Sequence, residues 1–110
     1  EVTATDPSAV QDADVVLCCT SSRTPVVRDE SVGEHVVVTA IGAHEVDARE
    51  LPGALVSRSF VVVESRAAAR AEAGDVVLAE GEAGRELVAA DLGEERCLVL
   101  PPRRPARGRP

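Results

Sequence analysis

Residues 14–20 read DVVLCCT and residues 35–42 read HVVVTAIG. Both are unbroken apolar runs preceded by a charged or titratable residue and ending in Thr, Gly or another small residue. Alternating apolar and polar positions would indicate a strand with one wet face; continuous runs instead predict strands covered on both faces, as in a parallel sheet flanked by helices. Similar runs recur at residues 2–4, 60–63 and 98–100, separated by polar or small-residue stretches of helical length. That alternation predicts an α/β fold rather than a sandwich.

The intervening stretches carry helix signals. Asp6 and Pro7 have the residue types of an N-cap and a first helical position, predicting a short helix over residues 6–12. Residues 50–55 can form a helical turn. Ser65 is a candidate N-cap and Gly74 a candidate stop for an alanine-rich helix between them. A final helix is expected over residues 82–91. In a right-handed parallel arrangement the loops leaving the carboxyl ends of the strands gather on one edge, where open α/β sheets bind ligands. Attention therefore falls on the residues that follow each run.

Composition bounds the function. The chain has 110 residues, a net charge of −7 and one aromatic residue, Phe60. This predicts a single acidic domain without an aromatic platform for nucleic-acid bases. No apolar run reaches the roughly 18 residues of a membrane span, and the first residues lack a signal-peptide pattern. A cytoplasmic protein with neither nucleic-acid nor membrane partners is the expectation. All twelve cationic side chains are arginine, so no lysine is available for a Schiff base or a phosphate loop. The last eight residues hold four arginines and no acid, leaving eight arginines against nineteen acids ahead of them. Residues 96–110 are expected to form a disordered Arg/Pro-rich tail. The missing Met, and a start in mid-pattern, predict a piece of something longer.

Candidate chemistry sits at the strand ends. Thr20, Ser21 and Ser22 offer hydroxyls and main-chain N–H groups suited to ribose or phosphate oxygens; a plain hydroxyl-rich turn is the alternative. Gly42 would let a flat ligand approach the main chain closely. His44 is the best acid/base candidate, because an imidazole titrates near neutral pH; a surface-loop histidine is the alternative. His35 precedes a strand and has no assigned role. Cys18, Cys19 and Cys97 lack metal-ligand spacing, neighbouring strand residues point to opposite faces, and all three are expected to be buried inert thiols without a metal. The eight glycines nowhere form G-x-G-x-x-G.

Three blocks, ADVVLCCTSSRTPVV, VVVTAIGAHEVDAREL and VVVESRAAARAEAGDVVLA, in this order and spacing, resemble the ornithine cyclodeaminase/mu-crystallin family. The resemblance covers about residues 1–95 and implies the second half of a Rossmann-type NAD(P)-binding domain, incomplete by itself. Carried over by position, it implies that Thr20 and Ser21 contact NAD or NADP and that Ile41, Gly42 and Ala43 line the nicotinamide end. It sets His44 at the family's catalytic aspartate. A bulkier imidazole that can be neutral or cationic argues against ornithine cyclodeamination. It directs the reading to hydride transfer on another small amino acid or a cyclic imine or ketimine. The alternatives are a non-catalytic NAD(P)H- or small-ligand-binding protein and an inactive truncated fragment. The resemblance also implies a homodimer for the full-length parent.

Overall fold

The computed structural model describes residues 4–93. The short helix expected over residues 6–12 is a 3₁₀ helix, Pro7–Asp12. Strand β1, Val15–Cys18, follows, then a single 3₁₀ turn, Asp29–Ser31, and strand β2, Val37–Ala40. The remaining elements are helix α1 (Gly53–Ser57), strand β3 (Val61–Val63), helices α2 (Arg66–Glu72) and α3 (Gly74–Ala83), and strand β4 (Val88–Asp91). All strand pairing is parallel, β1 with β2 and β3 with β4. The expected α/β class holds, with the described strands hydrogen-bonded as two pairs rather than one ladder.

Three expectations need correction. Among the described residues, the apolar runs are not covered on both faces. Val16 and Cys18 are buried, whereas Val15, Leu17 and Val37 are 64%, 62% and 56% exposed. Side chains alternate across a strand, and the described residues cover one face of β1. The helix expected over residues 82–91 is not there. Gly84 takes a left-handed conformation, φ +67°, and donates to the Glu80 carbonyl, which ends α3. Leu87 is then buried, and Val88–Asp91 pairs with β3. Helix propensity is a weak signal, and pairing with β3 overrides it. Finally, Gly74 does not stop a helix but starts α3, with Ala73 separating it from α2. The Ser65 N-cap is as expected, its hydroxyl accepting from the Ala68 N–H at 3.2 Å.

The core forms around α1. Leu55 packs with Val16, Cys18, Val27 and Val32, while its neighbour Val56 packs with Ala79 and Leu87. One short helix thus joins the β1–β2 side to the α3–β4 side, and Leu51 touches both clusters. Cys18 is buried, as expected; Cys19 is exposed, because the strand ends there and its side chain points the other way. Of the strand expected over residues 2–4, only Ala4 is described, and it belongs to no regular element. Residues 98–100, Cys97 and the arginine-rich tail lie outside the described residues.

Candidate functional site

The ladder between β1 and β2 ends where the Ile41 N–H donates to the Cys18 carbonyl at 3.0 Å. Beyond it the two strands become loops, residues 20–24 and 41–47. A single side chain from a third segment ties them together. Glu50 is fully buried. Its Oε2 accepts from the Thr20 N–H at 2.6 Å and its Oε1 from the Gly42 N–H at 2.7 Å. Hydrogen bonds to an ionised acceptor are about twice as strong as neutral ones, and they compensate the desolvation of this carboxylate.

Glu50 is itself held from behind. Its own N–H and that of Leu51 both donate to Asp75 Oδ1, each at 2.8 Å. Asp75 lies in the first turn of α3, where a carboxylate suits the helix N-terminus. Burial nonetheless pushes its carboxyl above the ordinary aspartate range, with the charge of Glu50 adding to the rise; the two amides and Arg49 oppose it. In the folded state Asp75 therefore binds its proton more tightly than in the unfolded chain. Its contribution to stability improves as pH falls through its folded value toward the ordinary one, and worsens as pH rises.

Because Oδ1 alone takes both amides, Asp75→Asn keeps that acceptor and removes the buried charge. We expect Asp75→Asn to stay within about 1 kcal/mol of the parent and to lose this pH dependence. Asp75→Ala, which strands two donors, should cost about 2–3 kcal/mol. Thermal unfolding at several pH values measures both.

Gly42 is needed for a reason other than ligand approach. A Cβ there would lie 1.8 Å from the Thr20 carbonyl oxygen and 2.7 Å from Glu50 Oε1. The glycine lets two strand-end loops touch. The first of these loops also satisfies itself: Thr20 Oγ1 accepts from the Ser22 N–H at 3.1 Å, and Ser22 Oγ donates to the Thr24 carbonyl at 2.6 Å. The main-chain N–H groups of Thr20 and Ser22, expected as ligand donors, are thus engaged internally. The exposed Thr20 and Ser21 hydroxyls remain at this edge. Arg23 forks between Glu45 Oε2 at 3.0 Å and Asp47 Oδ2 at 2.7 Å, linking the same two loops on their wet side. Such an exposed pair orients more than it stabilises.

Next to this edge, between β2 and β3, opens a cavity of about 550 Å³. Ile41, Ala43 and His44 line it on one side, Val62, Ala69 and Asp75 on the other. Ile41 is 58% exposed, Ala43 half-buried and His44 exposed. The structure thus gathers the strand-end candidates in two groups. Thr20 and Gly42 meet at the Glu50 carboxylate, and Ile41, Ala43 and His44 face the cavity. Thr20 and Ser21 do not line it. The sequence reading missed Glu50 and Asp75. Each is an acid beside apolar residues inside one of the three blocks, which is the only local sign of burial they give.

The ornithine cyclodeaminase/mu-crystallin family model matches residues 1–95. Delta(1)-pyrroline-2-carboxylate reductase 1 of Burkholderia multivorans is 47% identical over 75 residues, 67% of this chain and 24% of that protein. Ketimine reductase mu-crystallin of Macropus fuliginosus is 35% identical over 96 residues, 87% of this chain and 29% of that protein. Among solved structures, the Delta(1)-pyrroline-2-carboxylate reductase of Thermococcus litoralis, in complex with NADH and L-proline, superposes with a TM-score of 0.75 at 28% identity, over 84% of this chain and 29% of that one. The chain therefore spans less than a third of the length of these relatives. Its fold is that of part of their parallel-sheet, Rossmann-like domain. With the match running from residue 1 to residue 95 through all three blocks, the chain belongs to the ornithine cyclodeaminase/mu-crystallin family.

Proposed function

We propose that this chain forms the second half of the NAD(P)-binding domain of an oxidoreductase that acts on a small amino acid or its cyclic imine or ketimine. The observation that carries the reading is the joining of loops 20–24 and 41–47 at the carboxyl ends of two parallel strands, where such sheets bind ligands. The names of the relatives supply the chemistry, since a pyrroline-2-carboxylate and a ketimine are both imines of amino acids.

The residues at the edge fit one end of the cofactor. Exposed hydroxyls of Thr20 and Ser21 suit ribose oxygens, and the exposed Ile41 with Ala43 offers an apolar wall for a flat ring. A phosphate-binding glycine motif is not among the 110 residues, so the fit is to the nicotinamide and ribose end. Bound NAD(P)H supplies a hydride from C4 of its nicotinamide. Ile41 and Ala43 orient the ring and exclude water on their side. His44, at the cavity lining, holds an imidazole proton at Nε2 for exchange with the substrate nitrogen.

His44→Ala tests this in the full-length protein. A proton-transferring role predicts a fall in turnover of about 10² or more with NADH affinity nearly unchanged. No turnover by the unmodified protein, with NADH binding intact, would favour the non-catalytic binding protein instead. Absence of any NADH binding overturns both readings.

A further inference from the structure

We propose that Glu50 is a positioning residue for the cofactor-binding edge, its carboxylate setting the placement of the Thr20 loop relative to the Gly42 loop. The inference rests on the function proposed above. Its basis is the way four hydrogen bonds converge on one buried residue.

The β1–β2 ladder last joins the strands at Ile41 and Cys18. Past that bond Gly42 still lies against the Thr20 carbonyl, but no backbone hydrogen bond between the described residues of the two loops holds them. The planar carboxylate takes the ladder's place, with one oxygen on Thr20 and the other on Gly42. Two acceptors on one rigid group give a fixed spacing that two separate side chains could not. The backbone beneath Glu50 is equally constrained. Its N–H donates to Asp75, the following N–H does the same, and its carbonyl accepts from the Val26 N–H at 2.8 Å. Displacement of Glu50 must therefore drag α3 or residue 26 with it.

The charge is not there for an ion pair. The adjacent Arg49 turns away to Glu82, at 2.5 Å and 3.2 Å. Glutamine would conserve size and remove the charge, but it offers one oxygen where two amides need acceptors. Its NH₂ would face the second amide as donor against donor. That contrast with Asp75, where a single oxygen takes both amides, separates a positioning carboxylate from an anchoring one.

The test compares Glu50→Gln with Val32→Ala in the full-length protein. Val32 is buried in the core with Val16 and Leu55 and touches neither loop's hydrogen bonds, so its truncation lowers stability without loosening the edge. NADH affinity is read by fluorescence titration, unfolding by temperature, and exchange of the Thr20 and Gly42 amides by NMR or mass spectrometry. Glu50→Gln should weaken NADH by about ten- to a hundredfold, the scale on which loss of a group that orients the contacting residues is felt. It should also speed exchange at both amides, while Val32→Ala leaves affinity and those amides unchanged. An affinity within twofold of the Val32→Ala protein overturns the proposal. If Glu50→Gln does not fold, Glu50→Asp carries the same test, because it keeps both acceptors on an arm one carbon too short. If the unmodified protein binds no NADH, the cofactor reading fails by itself. Exchange then judges the tie: faster at Thr20 and Gly42 upholds it, unchanged overturns it.

Discussion

Replacing Gly42 with alanine should cost about 4 kcal/mol or more of stability and abolish the proposed cofactor-binding edge. Overpacking normally costs a few kcal/mol because side chains can swing aside. Here the nearest atom is a main-chain oxygen, that of Thr20, 1.8 Å from the added methyl carbon, and the next is the Glu50 carboxylate. Neither has a rotamer into which it can escape, since Thr20 and Gly42 are both bonded to the same buried group. The loops must separate, and both amides lose their acceptor at once. Losses above 4–5 kcal/mol are rare and point to such a mechanism. Thermal unfolding of the full-length protein, with NADH titration at a temperature where the variant is still folded, measures both effects. A Gly42→Ala protein of parental stability would mean that the two loops do not meet in solution.

The second large effect is expected at the start of α3, with an opposite result seven residues later in the same helix. A Cβ at Gly74 would lie 1.8 Å from the Ala48 carbonyl oxygen and 2.5 Å from that of Glu45. Alanine there must push the helix off the loop that runs from His44 to Glu50. Asp75 moves with it, and with Asp75 go the amides of Glu50 and Leu51. Gly74→Ala should therefore cost about 3 kcal/mol or more. Gly81 has the same residue type in the same helix, but nothing lies within 4 Å of its added methyl group. Gly81→Ala restricts the unfolded chain at no steric cost and should gain about 0.5–1 kcal/mol. Urea unfolding of the two variants side by side is decisive: equal signs would sink the account. A glycine's cost is thus set by its surroundings, not by its helix.

Much of the fold was legible because its signals are local. Valine runs identified β1, β2 and β3, the Ser65 hydroxyl identified the start of α2, and three motif blocks identified the family. Where a signal was weak, the reading failed. Residues 88–91 have helix-tolerant alanines, and only the neighbouring β3 makes them a strand. Continuous apolar runs implied two covered faces, yet Val15 and Leu17 are open on one side among the described residues. The strand-end positions of the candidates were legible from the runs alone, but the way Thr20 and Gly42 are held was not.

By itself, the sequence determined the α/β class, the parallel direction implied by its runs, and the strand ends at which Thr20, Gly42 and His44 stand. These follow from periodicity, propensity and caps, which act within a few residues. Tertiary structure alone decided that Glu50, 30 residues from Thr20, closes the two loops, and that Asp75, 25 residues further on, holds Glu50 in place. A carboxylate becomes an anchor only where burial removes water and folding brings amides to it. The apolar residues beside it hint at the burial, but nothing beside it marks the amides.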